Sequence, residues 1–195
     1  MQIDEYIDLS KLNKLKPAKG RVILSEPFML DTNFKRAVIL LCEHNKEGSF
    51  GFILNNILSV NLSEMVQGLD SNEFIISYGG PVHPDNLYYI HDQGDIIEDS
   101  QELFPGLWFG GNFEQILSMI NDKKIHAENI RFFLGYAGWS EEQLELEMES
   151  HSWITSEFIP NDLMKLDKDL WKNTLNKMGK QYEVVSNFPS DPSHN

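Results

Sequence analysis

The sequence predicts a single-domain α+β fold with a mixed sheet, and three observations carry that prediction. Short apolar runs rich in β-branched and aromatic residues recur through residues 21–155, some in hairpin pairs and some beside helices. Two later segments, residues 113–121 and 167–178, carry an apolar stripe at helical spacing between cap signals. A chain of 195 residues, 41% of them hydrophobic, has enough apolar material for one sizeable core.

Taken in order, residues 4–15 place Tyr6, Ile7, Leu9, Leu12 and Leu15 at helical spacing and predict a short leading helix, stopped by Pro17 and Gly20. Residues 21–25 form a first strand. Pro27 and Asp31-Thr32-Asn33 mark a loop. The apolar residues 36–42 predict a central strand, His44-Asn45-Lys46-Glu47-Gly48 a turn, and residues 50–54 its hairpin partner, closed by Asn55-Asn56. Residues 62–69 read as a helix opened by Asn61 or Ser63. Residues 74–78 predict a strand that runs into a glycine turn, Gly79-Gly80-Pro81-Val82, and residues 87–91 another strand. An acidic loop over 92–99 and an irregular aromatic stretch over 103–111 precede a helix capped by Asn112, with Phe113, Ile116, Leu117 and Ile120 on one face.

The densest stretch follows. Phe132-Phe133-Leu134 predicts a strand buried on both faces. Gly135 and Gly138 flank Tyr136-Ala137 and predict a sharp turn. Ser140 with Gln143 reads as a capping box opening a helix to about Ser150, although Leu144, Leu146 and Met148 alternate as in a strand. Tyr136 and Trp139 are then either core aromatics at a tight bend or the lining of a pocket beside free N–H groups at a helix start. Residues 152–155, with Trp153, predict a strand, Pro160-Asn161-Asp162 a turn, and Gly179 the stop of the last helix. The expected organisation is an extension over 1–19, a domain over 20–185 and a disordered tail over 186–195.

Charge narrows the function. With 16 basic and 30 acidic residues the chain carries a formal charge of -14, which repels a phosphate backbone, so direct nucleic-acid binding is not expected. The one cysteine, Cys42, rules out a disulfide within the chain and a cysteine-based zinc site, and fits a reducing compartment. Residues 1–16 lack the apolar core of a signal peptide, and no apolar run reaches the ~20 residues of a membrane span, so a soluble, cytoplasmic protein without membrane contact is expected.

No motif specifies a reaction. His44, His83, His91, His126 and His151 include no His-x-x-x-His pair, and no metal is expected. Cys42 lies in an apolar run, which favours an inert thiol; a pairing with His44 on one strand face is the reactive alternative. Gly79-Gly80-Pro81-Val82 lacks a phosphate-loop lysine, and neither Gly-x-Gly-x-x-Gly nor Gly-x-Ser-x-Gly occurs, so no cofactor is expected.

Several motifs in fixed order resemble one family. They are Pro27-Phe28-Met29-Leu30-Asp31-Thr32-Asn33-Phe34, Glu43-His44 with Gly48, Gly51-Phe52-Ile53-Leu54-Asn55, Gly79-Gly80-Pro81-Val82, and Gly135-Tyr136-Ala137-Gly138-Trp139 followed by Gln143-Leu144-Glu145 and Trp153. Together they resemble the AlgH/YqgE family from about Gly20 to Gly179. Members often carry a glycine where this chain has Glu142, and the start before Gly20 is outside the usual pattern. The resemblance implies a bifurcated sheet curled into a partial barrel and flanked by helices, in a bacterial cytoplasmic protein whose biochemical activity is not established. Some members are named as transcriptional regulators, of alginate synthesis in particular, a role that here would be indirect.

The resemblance also implies a ligand- or partner-binding site built from His44, Asn55, Gly79, Gly80, Pro81, Val82, Tyr136, Gly138, Trp139, Gln143 and Glu145, for a small molecule or a protein partner. On this reading Trp139→Ala abolishes binding and leaves the fold intact. The alternative is an enzyme with His44 as general base and Glu145 or Glu147 as acid.

Overall fold

The computed structural model describes residue 13 and residues 15–69, 71–157 and 163–189. The expected leading helix and the turn at 160–162 lie outside the described residues, apart from residues 13 and 15. The elements are β1 (Val22–Ser25), β2 (Val38–Asn45), β3 (Gly48–Ile53), β4 (Ile57–Asn61), α1 (Leu62–Met65), β5 (Ile75–Tyr78), β6 (Val82–His91), β7 (Gln101–Phe104), β8 (Leu107–Phe109), α2 (Phe113–Asn121), β9 (Ile130–Trp139), α3 (Gln143–Glu149), β10 (Trp153–Ser156), α4 (Leu170–Met178) and α5 (Lys180–Ser186).

The strands form one 10-stranded sheet in the order β10-β1-β2-β3-β9-β6-β8-β7. β6 lies antiparallel along one edge of β9, from Val82 opposite Tyr136 to His91 opposite Ile130. The other edge is shared. The second half of β9 pairs antiparallel with β3, and its first half pairs parallel with β5, which carries β4. The sheet therefore branches at β9, as expected, and is mixed. Its end strands, β10 and β7, do not pair with one another, so the sheet stays open rather than closing into a barrel.

A fork in a sheet leaves backbone groups without ladder partners, and buried polar groups of this kind are costly. Arg131 of β9 fills the fork. Its guanidinium donates to the carbonyls of Leu54 (2.7 Å) and Leu163 (2.8 Å) and to Ser77 Oγ (3.0 Å). The side chain is buried, and desolvation lowers its pKa to about 10, so it remains a cation at neutral pH. Gly79 crosses the same gap: its N–H donates to Leu134 and its carbonyl accepts from Ile53.

Three apolar layers follow. Leu24, Leu40 and Phe52 meet Trp171, Leu175 and Val185 of α4 and α5. On the opposite face Ile39, Leu41, Ile53 and Trp139 meet Leu144 of α3 and Trp153. Ile76 and Phe132 pack against Ile116 and Ile120 of α2. Asn112 caps α2 as predicted, its side chain accepting from Gln115 N–H at 3.0 Å.

Several local expectations are corrected. β2 continues through Asn45, so His44 is a strand residue and the turn narrows to Lys46-Glu47. β4 directly follows Asn55-Asn56, where no strand is expected, and α1 is a single turn capped by Asn61. Residues 103–111 are not irregular; they contribute to the β7–β8 hairpin. α5 follows Gly179 at once and includes Ser186, the first residue of the expected tail. The Gly135–Gly138 stretch is no turn, because β9 runs straight through it. Gly135 instead takes a left-handed φ of 67° opposite an irregularity between Val82 and Leu87 of β6. The bulge resets the alternation, so Phe133 and Tyr136 share one apolar layer while Ala137 and Trp139 join another.

Candidate functional site

The sheet sorts the expected site residues onto two faces. On the α3 face, His44 lies opposite Ser49, and Ser49 opposite Trp139. The His44 ring bonds Ser49 Oγ through Nδ1 at 2.7 Å and comes within 3.8 Å of Glu145 through Nε2. Trp139 is only 6% exposed, stacked on Phe34 and edge-on to Trp153. Its indole N–H donates to Glu147 Oε2 at 2.9 Å, and that of Trp153 donates to the same oxygen at 2.7 Å. Gln143 donates to the other oxygen of Glu147 at 3.0 Å and accepts from Ser140 N–H at 3.0 Å. Glu147 thus pins α3 to the sheet through two buried indoles.

This arrangement engages the polar groups near the helix start. Two N–H groups there are taken: Ser140 N–H donates to Gln143 Oε1 and Gln143 N–H to Ser140 O. Glu142, with a φ of 60°, occupies the cap position expected for Ser140. Cys42 and His44 do not share a face either. A register shift between Leu41 and Glu43 turns Cys42 into the layer beneath α4, and burial pushes its thiol pKa far up.

Asn55 and the glycines serve the framework. The Asn55 amide accepts from Val38 N–H at 2.9 Å and donates to Arg36 O at 2.8 Å, standing in for a strand at the end of β3. Gly79-Gly80-Pro81 is the crossover onto β6, and a Cβ on Gly80 would lie 2.3 Å from Ala137 N. Only glycine lets the two backbones pass this closely.

The other face carries an opening. Phe50, Phe52, Tyr88, Phe109 and Tyr136 line a cavity of about 260 Å³. Its rings are closely set: Phe50 and Tyr136 meet at 6.0 Å, Tyr88 and Tyr136 at 5.6 Å, and Phe52 and Phe109 at 5.9 Å. Phe50 and Tyr136 are also shared with an adjoining recess of about 440 Å³, whose lining adds Glu43, Asn45, Glu47, Gly48, Ser49, Val82, Gly138 and Trp139. Gly138 leaves the space that the Tyr136 ring occupies, since a Cβ there would touch that ring at 3.1 Å. His83, at a left-handed φ of 47°, stands beside Tyr136 at 6.0 Å. Among the described residues neither the Tyr88 nor the Tyr136 hydroxyl has a hydrogen-bond partner.

Of the expected residues, the cavity and its adjoining recess bring together Val82, Tyr136, Gly138 and Trp139, the last with its ring turned into the α3-face layer. Neither part is lined by His44, Gln143 or Glu145. Sequence reasoning missed Phe50, Phe52, Tyr88, Phe109, Glu43 and Glu47 as one group. Their signal was the repeated placing of aromatics on strands later brought side by side by β9. Among the described residues no cluster of His, Cys, Asp and Glu could hold a metal, and no helix is long and apolar enough to cross a membrane.

Fold and cleft together define a single-domain α+β protein on a branched, open sheet, with an aromatic recess on its surface. The chain belongs to the AlgH-like family, whose model matches residues 22–183. An uncharacterised UPF0301 protein of Cytophaga hutchinsonii is 40% identical over 179 residues, covering 91% of this chain and 98% of the relative. A UPF0301 protein of Chlorobium chlorochromatii is 40% identical over 182 residues, covering 92% and 96%. The solution structure of the AlgH protein from Pseudomonas aeruginosa superposes with a TM-score of 0.71 at 25% identity, covering 90% of this chain and 98% of that one. The crystal structure of protein DIP2367 from Corynebacterium diphtheriae gives 0.76 at 22% identity, covering 92% and 97%.

Proposed function

We propose that this AlgH-like protein is a non-enzymatic binding protein, regulatory in role, which holds its ligand in the aromatic cleft between β3, β6, β8 and β9. The observation that carries this reading is the open cavity of five aromatic side chains, with two phenol hydroxyls that have no hydrogen-bond partner among the described residues. Apolar faces with a few polar groups that fix orientation are what a small-molecule site needs. The formal charge of -14 disfavours nucleic-acid contact, so a regulatory role would be exerted indirectly. Saturation-transfer NMR with indole as probe tests the reading. Wild type gives transfer to the indole ring, and Tyr136→Ala or Phe109→Ala removes it. Undiminished transfer in both variants contradicts the reading.

The Ser49–His44–Glu145 chain favours a second reading, an enzyme with His44 as base. It has less support, because His44 lines neither the cavity nor the recess, although its partner Ser49 lines the recess. A fluorophosphonate probe that labels wild type at Ser49 and spares His44→Gln would favour it; no labelling would remove its support.

A further inference from the structure

Resting on the cleft reading above, we infer that the ligand is a small organic cation, whose alkylammonium head is held over the rings of Phe50, Tyr88, Phe109 and Tyr136 and faces Glu43 and Glu47. Three observations converge. The floor of the cleft is aromatic, with the negative ring faces that attract a desolvated cation. The adjoining recess carries two carboxylates, Glu43 and Glu47, and no lysine or arginine lines either part. Lys46, in the same turn, is not among the lining residues. The Glu47 backbone N–H donates to Asn45 Oδ1 at 2.8 Å, and the Glu43 carboxylate accepts from Asn45 Nδ2 at 3.4 Å, so Asn45 links the two rim residues.

The size of the space selects the ligand. About 260 Å³ of ring-lined volume takes a trimethylammonium-sized group, and too little remains for a folded peptide segment. An anion would meet Glu43 and Glu47 without a compensating base. A neutral apolar ligand would fill the floor but gain nothing from the rim carboxylates. The two phenol hydroxyls supply acceptors or donors for a polar tail.

The test compares choline with 3,3-dimethylbutan-1-ol, its neutral isostere, by isothermal titration at low salt. Choline is expected to bind about tenfold or more tightly than the alcohol, the scale of a desolvated cation–π contact. Tyr136→Ala is expected to remove choline binding, and the double variant Glu43→Gln, Glu47→Gln to weaken it about fivefold or more. Glu141→Gln with Glu149→Gln changes the net charge equally on the α3 face and should leave choline binding unchanged. Equal affinity for the two probes would overturn the cation preference while leaving the cleft reading intact. So would an equal loss in the two charge variants, which would trace the effect to the overall charge of -14. Binding of neither probe would overturn the inference as well; if indole still binds in the cleft, the broader reading survives that result.

Discussion

Glu147 decides how α3 sits, because one carboxylate accepts from both Trp139 and Trp153. Glu147→Ala leaves two indole N–H groups without partners and should cost about 2 kcal/mol of stability, read as a lower urea midpoint. Trp139→Ala is expected to act through stability. Its ring is buried among Phe34, Trp153 and Leu144, so truncation should cost about 3–5 kcal/mol and leave the five-ring cavity, which it does not line, able to bind in the fraction that folds. That replaces the sequence expectation of lost binding with an intact fold. The glycines around Trp139 suggested an open bend, and only the continuity of β9 shows the ring turned inward. Asn55 was equally illegible, since an amide looks the same in sequence whether it meets a ligand or a strand edge.

His91 shows a residue-scale pH effect. Its buried ring lies beside Gly110 O (2.9 Å) and Ser100 Oγ (3.3 Å) and accepts from Gln93 N–H, and desolvation lowers its pKa below the ordinary value of 6.5. A lowered folded pKa means that the unfolded chain takes up the proton first. The contribution is therefore complete above about pH 6.5 and is lost as the pH falls toward the folded value. The melting temperature should drop between pH 7 and pH 5 in wild type, and the drop should be smaller in His91→Gln.

At the scale of elements, regular pieces were readable and irregular ones were not. α2 was legible from Asn112 and its apolar stripe, and the β2–β3 hairpin from its apolar runs around a polar turn. The bulges at Cys42 and Gly135 were not, because a bulge is set by pairing with a strand distant in sequence. Each shifts the alternation by one residue and thereby sends His44 and Trp139 to the face opposite Phe50 and Tyr136. The Gly79-Gly80 crossing belongs to this scale too. Gly80→Ala would place a Cβ 2.3 Å from Ala137 N and should destabilise the fold by more than about 3 kcal/mol, whereas Gly106→Ala meets no atom within 4 Å and carries only the strain of its φ of 89°, so it should cost less. Comparable urea midpoints for the two variants would contradict the close crossing.

For the molecule as a whole, the branch at β9 explains why the sheet opens and why a recess exists. β3 and β6 flank the C-terminal half of β9, and β8 extends the β6 side, so aromatics from four strands meet over one patch. Arg131 holds the fork open from within by satisfying carbonyls that no strand reaches. Arg131→Met should therefore lower stability by several kcal/mol while retaining secondary structure by circular dichroism in the fraction that folds. The acidic balance readable from composition survives at this scale as a rim of Glu43 and Glu47 beside the rings.

The measurement that bears most directly on the cleft is a two-dimensional amide NMR titration with indole. The predicted result is saturable shifts at Phe50, Tyr88, Phe109, Tyr136 and Gly138, with His44, Gln143 and Glu145 unmoved. Shifts confined to the α3 face, or none at any concentration, would contradict it.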